Sequence, residues 1–503
     1  MDTKALGSLA GCRTPKHGAI QHVRRRPPEC GRGAARPPKA AGRRRVLPNR
    51  CRPQAWLAVL AVCGLHILPS MVRAADVPLE PGAQLTLRKA VELALKYHPA
   101  RLAARSEAGA VHERIGQAEA NLLPQVFGGA EYLRGTDNSI GNTSYLPMLG
   151  APRLPSVGRN TNSFETFDNY LMGVSAFQYL FDFGRARGLI DQRRAEADVE
   201  QARLRLVELG LVFEVTRNYA SLLGAQQTVT VYEKAVAQRQ EHLHEAEVKS
   251  DAGLKPEIDV YTAKSDLARA KLNLVDARNA VATGKVALDN AMGLGASAPE
   301  YQLAEVLTYQ EITEPLDGYL KTAFAQRPDL KMLQDEARAA GAQIQEYGSD
   351  YLPTLGATAG YTARGQDLPA SNNFDVGVLV SWPIFNGFLT DHELAEARLH
   401  QDAVRHSIED IRQRIFLQVK SGFLDWQASV ERIHRAEQTV AASRVELELA
   451  EKRYEAGLGN IIELTDAQRR FTQDEADYVQ ALAVFSIAKA ALDRDVGAGV
   501  PNG

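Results

Sequence analysis

The sequence predicts a mainly α protein with a small β part, in which a unit of helix, helix, strand, strand, long helix and long helix occurs twice. Three observations carry this reading. The first is an internal duplication: His98-Pro99, Leu123-Pro124 and Tyr132 return as Arg327-Pro328, Leu352-Pro353 and Tyr361 at an offset of 229. Further along, Phe181, Val215, Tyr219 and Ala252-Gly253-Leu254 return as Phe385, Val419, Phe423 and Ala456-Gly457-Leu458 at an offset of 204. The second is alternation of apolar and polar residues with period 2 over short stretches. The third is a seven-residue apolar period held far beyond ordinary helix lengths.

The N-terminal segment stands apart. Residues 1–74 carry 15 Lys+Arg against 2 Asp+Glu, a balance of +13, and the remaining 429 residues carry 44 against 59, a balance of −15. Residues 1–54, rich in Arg, Pro, Gly and Ala, bury nothing and are expected to be disordered or an over-extended start, with a signal of normal length beginning near Val46. Ala55–Leu68 is mainly apolar but shorter than the ~20 residues a spanning helix needs. With Val72-Arg73-Ala74 after it, residues 55–74 read as a secretory signal peptide cleaved after Ala74. Leu60–Cys63 half-resembles a lipoprotein box and Arg43–Leu47 a twin-arginine signal; both are weaker.

The body follows in order: a linker over 75–85, a first repeat over 86–296, a linker over 297–315, a second repeat over 316–497 and a tail over 498–503. Thr86 caps a helix over Leu87–Tyr97, and a second runs from Ala100 to Leu122, where Pro124 stops it. Copy two repeats these as Leu316–Ala325 and Asp329–Tyr347. Strands are expected over Gln125–Arg134, Tyr170–Phe181, Thr354–Arg364 and Phe374–Ile384; in the last, Phe374, Val376, Val378, Val380 and Trp382 alternate with Asp375, Gly377, Leu379 and Ser381. The two offsets differ by 25 residues, an insertion between Leu133 and Tyr170 dense in Asn, Ser, Thr, Gly and Pro, which reads as a long polar loop facing the cell exterior.

From Gly184 to Lys249 there is no proline. Ile190, Ala197, Leu204 and Leu211 make one heptad run, and Val215, Leu222, Val229, Val236 and Leu243 a second after a four-residue stutter. Copy two preserves the pattern with one break, Gln401. At 1.5 Å per residue such a helix is roughly 100 Å long. Pro256–Met292 and Ile461–Asp495 return antiparallel, so two hairpins turn at Ala252–Lys255 and Ala456–Asn460.

Several functions are excluded by composition. The acidic body lacks the basic footprint of a nucleic-acid binder. All four cysteines precede residue 75, so the body has no cysteine-zinc site, thiol nucleophile or disulfide framework. There is no P-loop, dinucleotide fingerprint, nucleophile elbow or His-Glu-x-x-His motif, so the chain does not read as an enzyme and no cofactor or metal is expected. His242 and His244 are two apart and do not share a helix face; they read as a surface pair. Asn142-Thr143-Ser144 matches a glycosylation sequon by pattern and a polar loop by context. Glu463 and Asp466 lie just past the second tip, and Asp259 occupies the place of Glu463 in copy one. They read either as first-turn acids favourable to the helix dipole or as acids that narrow a passage.

Four strands cannot close a barrel, and an open sheet edge cannot sit in lipid. If the strands face a membrane, the chain must oligomerise. The combination points to a composite barrel in an outer membrane with a helical tube in the periplasm.

At this point the sequence resembles the TolC-type outer-membrane efflux channel family over about residues 84–497. The resemblance rests on the duplication, on Leu180-Phe-Asp-Phe-Gly184 and Ile384-Phe-Asn-Gly387 after the second and fourth strands, and on the tip segments Ala252-Gly253-Leu254 and Tyr454-Glu-Ala-Gly-Leu458. It implies a homotrimer whose protomers contribute four strands each to a 12-stranded barrel. It also implies a periplasmic helical tunnel that docks an adaptor (membrane fusion) protein and works with an inner-membrane transporter of RND, ABC or MFS type. Under this resemblance Ala252, Gly253, Leu254, Ala456, Gly457 and Leu458 are docking tips, and Glu463, Asp466 and Asp259 belong to an acidic periplasmic gate. Gly459 departs from the best-known pattern, which has a basic residue there. A periplasmic adaptor would carry one hairpin between β-rich halves, and a soluble coiled-coil scaffold would need neither strands nor a signal peptide.

Overall fold

A computed structural model describes residues 80–136, 166–295, 298–311, 314–368 and 370–499, all within one compact unit, Asp76–Gly503. The cleavage site after Ala74 and the polar insertion, with its sequon, lie outside the described residues.

The order is β1 (Ala83–Leu85), α1 (Leu87–Tyr97), α2 (Pro99–Glu119), β2 (Gln125–Thr136), β3 (Thr166–Phe181), α3 (Arg185–Asp251) and α4 (Glu257–Ala291). Then come β4 (Tyr301–Leu303), α5 (Leu316–Gln326), α6 (Pro328–Ser349), β5 (Thr354–Gly365), β6 (Ser371–Ser381), α7 (Leu389–Glu455) and α8 (Ile461–Val496). A single 3-10 turn, Ala120–Leu122, finishes α2. Local chemistry sets the starts. Thr86 Oγ1 accepts from the Lys89 amide at 3.2 Å, and Pro99 and Pro328 occupy first-turn positions where no amide is needed.

The long helices α3 and α7 have 67 residues each, roughly 100 Å of helix. Their seams follow the heptads: Val215, Ile415, Val419 and Ile433 are fully buried, Leu222 nearly so. Each side chain of this size contributes about 1.5–3 kcal/mol on burial. The stutter residues Leu211 and Val215 are both buried inside an unbroken helix. The main core gathers at mid-height, where α1, α5 and the hairpins meet around Tyr219, Leu288, Met292, Trp426 and Leu492.

Both linkers contain a strand that the sequence did not reveal: β1 and β4 pair in parallel, Ala83 opposite Tyr301 and Leu85 opposite Leu303. The Tyr219 hydroxyl donates to Leu85 O at 2.8 Å, and the Tyr301 hydroxyl to Asp289 Oδ1 at 2.7 Å, fixing the pair on the core.

The four long strands form one antiparallel sheet in the order β2-β3-β5-β6, so β3–β5 joins the two repeats and β2 and β6 are its edges. The register aligns Ala130, Met172 and Ala363, then Val174, Tyr361 and Phe374, then Ala176, Ala359 and Val376. Their side chains share one face, which is apolar across all four strands, while Gly129, Gly173, Thr362 and Asn373 lie on the other. Phe374, Val376, Val378 and Val380 are 64–83% exposed, so none of the described residues covers that face at β6. The fourth strand ends at Ser381, not Ile384, because Pro383 has no amide to continue the ladder. Each sheet-to-helix turn uses two consecutive left-handed residues, Phe183-Gly184 and Gly387-Phe388.

Candidate functional site: the hairpin tips

Both tips are built the same way. Gly253 and Gly457 have φ +71°, which only glycine adopts without cost. The Gly253 amide donates to Ser250 O and the Leu254 amide to Lys249 O, each at 2.9 Å. In copy two the Gly457 amide donates to Tyr454 O at 3.1 Å and the Leu458 amide to Arg453 O at 2.9 Å. This is the Schellman closure of a helix C-terminus. Such closures commonly fold the next apolar residue back onto the helix. Here Leu254 and Leu458 instead remain 74% and 76% exposed. Ala252 and Ala456 close the helices as C-caps. Asn460 Oδ1 accepts from the Glu463 amide at 2.8 Å and starts α8.

The three acids do not form one surface. Glu463 accepts from Arg453 Nε at 2.9 Å, with both side chains about half exposed. Asp466 pairs with Arg469 one turn on. Glu463 and Asp466 therefore each carry an arginine. Gly459, where a basic residue would fit the family pattern, packs near Arg453: a Cβ there would lie 3.2 Å from Arg453 Cβ and 3.3 Å from Glu463 Oε2. Arg453 thus supplies beside Glu463 the positive charge that position 459 lacks. Asp259 is buried and belongs to a different contact.

That contact is Tyr454, quoted above only as part of a motif. Its ring is 2% exposed and reaches from the second hairpin to the first, with Lys249 Nζ at 5.3 Å and Lys255 Nζ at 4.6 Å from its centroid. Its hydroxyl has no hydrogen-bond partner of normal geometry. Burial first, then the nearby Asp259 and Glu245 carboxylates, push its pKa up to about 12. Its sequence signal is an aromatic residue at heptad spacing after Leu447, in a turn otherwise made of charges.

Higher on the same seam, the two histidines separate. His244 is exposed, whereas His242 is half-buried, its Nδ1 3.6 Å from Glu245 and its Nε2 3.8 Å from Glu451 of α7. Gln238 Nε2 donates to the same Glu451 at 2.7 Å.

A family model described as outer membrane efflux protein matches residues 90–294 and 319–498. The chain belongs to that family. Among its relatives, outer membrane protein TolC of Escherichia coli is 24% identical over 76% of this chain and 77% of its own length. Outer membrane efflux protein BepC of Brucella suis is 21% identical over 70% of this chain and 77% of its own length. Among solved structures, CusC superposes with a TM-score of 0.70 at 17% identity, over 86% of this chain and 98% of that one. The CmeC outer membrane channel of Campylobacter jejuni also gives 0.70 at 17% identity, over 82% and 86%. At these identities the superpositions establish the fold; the family match establishes membership.

Proposed function

We propose that this protein is the outer-membrane exit duct of a tripartite efflux or secretion system. Three copies would close one 12-stranded barrel, and their hairpins would form a periplasmic tunnel through which small molecules or polypeptides pass passively. One observation carries this reading. A four-stranded sheet with two free edges exposes a continuous apolar face at the end of hairpins about 100 Å long. Lipid is the solvent that suits such a face, and edge pairing between copies is the closure lipid requires. Tyr132 and Tyr170 at one end, and Trp382, Phe385 and Phe388 at the other, are placed as aromatic girdles would be. Among the described residues no helix is long and apolar enough to cross a membrane.

The exposed Leu254 and Leu458, with their glycine turns, are the docking points for a periplasmic adaptor. This in turn would engage an inner-membrane transporter of RND, ABC or MFS type. Glu463 and Asp466, with their arginines, line the periplasmic mouth, and Tyr454 beside Asp259 ties the two hairpins at the gate. Two tandem hairpins favour this reading over an adaptor or a soluble scaffold. The test is the mass of the purified mature protein in detergent. A trimer that inserts into planar bilayers and conducts supports the proposal; a folded, monodisperse monomer overturns it.

A further inference from the structure

About 20 Å above the tips, α3, α4 and α8 enclose a cavity of about 330 Å³ that spans the two hairpins. Four arginines line it: Arg239 from α3, Arg269 from α4, and Arg469 and Arg470 from α8. Asp266 is the one carboxylate in the lining.

The charges are poorly matched among themselves. Arg239 is only 6% exposed, yet no carboxylate among the described residues lies within ion-pair distance of it. It donates to Ala235 O at 3.2 Å and, over a long 3.4 Å, to Thr472 Oγ1. A guanidinium has five N–H donors, so most of its capacity is unused. Burial pulls its pKa down and neighbouring Arg469 adds to this, against the pull of Asp266. Arg269 is exposed and has no ion-pair partner among the described residues. Arg469 and Arg470 engage Asp466 and Glu446, neither of which lines the cavity. Asp266 receives no hydrogen bond, and its Oδ2 is closed off from solvent. A buried cation with no ionic partner and a carboxylate that receives no hydrogen bond line the same cavity, and a buried charge left without an ionic partner is costly.

We infer that this cavity binds a tetrahedral oxyanion that carries a proton, hydrogenphosphate or the monoanion of a phosphomonoester, which bridges the two hairpins. Its oxygens accept from Arg239 and Arg269, and its P–OH donates to the Asp266 carboxylate. Arginine suits this ligand because its planar fork meets two oxygens at once. Sulfate carries no proton at neutral pH, so it would satisfy the arginines but oppose Asp266. The cavity is larger than one phosphate group, which leaves space for an organic substituent. This inference stands on the cavity alone and does not depend on the conducting role proposed above.

The test is calorimetric titration of the purified mature protein in detergent at pH 7, with inorganic phosphate and with sulfate at matched ionic strength. Saturable phosphate binding, about tenfold tighter than sulfate, is expected from one additional charge-assisted hydrogen bond. Arg269→Gln, at an exposed position, should weaken phosphate by about tenfold while leaving the phosphate-free unfolding temperature unchanged. Asp266→Asn, which removes the charge and adds an NH2 that can donate to either ion, should erase the preference over sulfate. Absence of saturable phosphate binding, equal affinity for the two ions in the wild type, or phosphate binding by Arg269→Gln at wild-type strength would overturn the assignment.

Discussion

Replacing Arg453 by Gln is expected to make the periplasmic mouth more cation-selective. In each chain Glu463 and Asp466 are offset by Arg453 and Arg469, so the mouth of the proposed trimer is locally near neutral. Removing Arg453 from three copies uncovers three carboxylates around the axis. The lost pair itself contributes little. Its side chains are 54% and 41% exposed at an N–O distance of 2.9 Å, a setting worth about 0.2–1 kcal/mol. The trimer should therefore remain folded. The field is the larger effect: three charges about 10 Å from a permeating ion contribute roughly 1.2 kcal/mol in water before screening. Screening reduces this to about 0.4 kcal/mol at 0.15 M salt and about 0.9 kcal/mol at 0.01 M. The field acts with opposite sign on cation and anion, so the cation-to-anion preference should rise about fourfold at the higher salt and about twentyfold at the lower. Reversal potentials in planar bilayers under a potassium chloride gradient measure it. Glu463→Gln should move the reversal potential the opposite way, and the double variant should return to the wild-type value. Identical reversal potentials for Arg453→Gln and wild type at low salt, or a double variant that fails to return, would refute the reasoning.

Other outcomes follow from the same geometry. Leu254→Asp with Leu458→Asp should leave stability within about 0.5 kcal/mol, because both side chains are exposed, yet abolish co-purification of an adaptor and efflux. Gly457→Val should cost about 1–2 kcal/mol through its left-handed φ alone, since no atom lies within 4 Å of a Cβ placed there; faster amide exchange at residues 453–460 would report it. Tyr454→Phe should be near neutral at pH 7, because the hydroxyl lacks a partner. Since folding raises the Tyr454 pKa to about 12, its contribution is fully present below the ordinary tyrosine value of about 10 and is lost as pH climbs toward 12. The variant's stability should accordingly fall less steeply over that window. An epitope inserted between Thr136 and Thr166, whose strand ends pair at the end of the sheet away from the helices, should be reachable by antibody on intact cells; labelling only after permeabilisation would reverse the topology.

The long elements were legible because their signals are periodic and redundant. Heptads over dozens of residues, checked against a second copy at an offset of 204, set α3 and α7 to within a few residues of their observed ends. Residues whose role depends on a distant partner were not legible in this way. Arg453 is an ordinary helix-surface arginine until the turn brings Glu463 2.9 Å from it. Lys249 and Lys255 gain meaning only when Tyr454, some two hundred positions later, lies between them. His242 reads as half of a surface pair until α7 presents Glu451.

By itself the sequence determined what repeats and what alternates: two copies, two strands per copy, two long hairpins and glycine at each tip. These are properties of local pattern, since side-chain period dictates element type and a left-handed turn dictates glycine. Tertiary structure decided what those elements do to one another. It paired β1 with β4 across two linkers that have no periodicity to read, and it placed β3 beside β5 so that the repeats share one sheet. It also gave Glu463 and Asp466 an arginine each and formed a basic cavity between the hairpins. Three-residue strands and single ion pairs carry no pattern of their own; their positions follow from packing of the whole chain, where burial and charge are settled residue by residue.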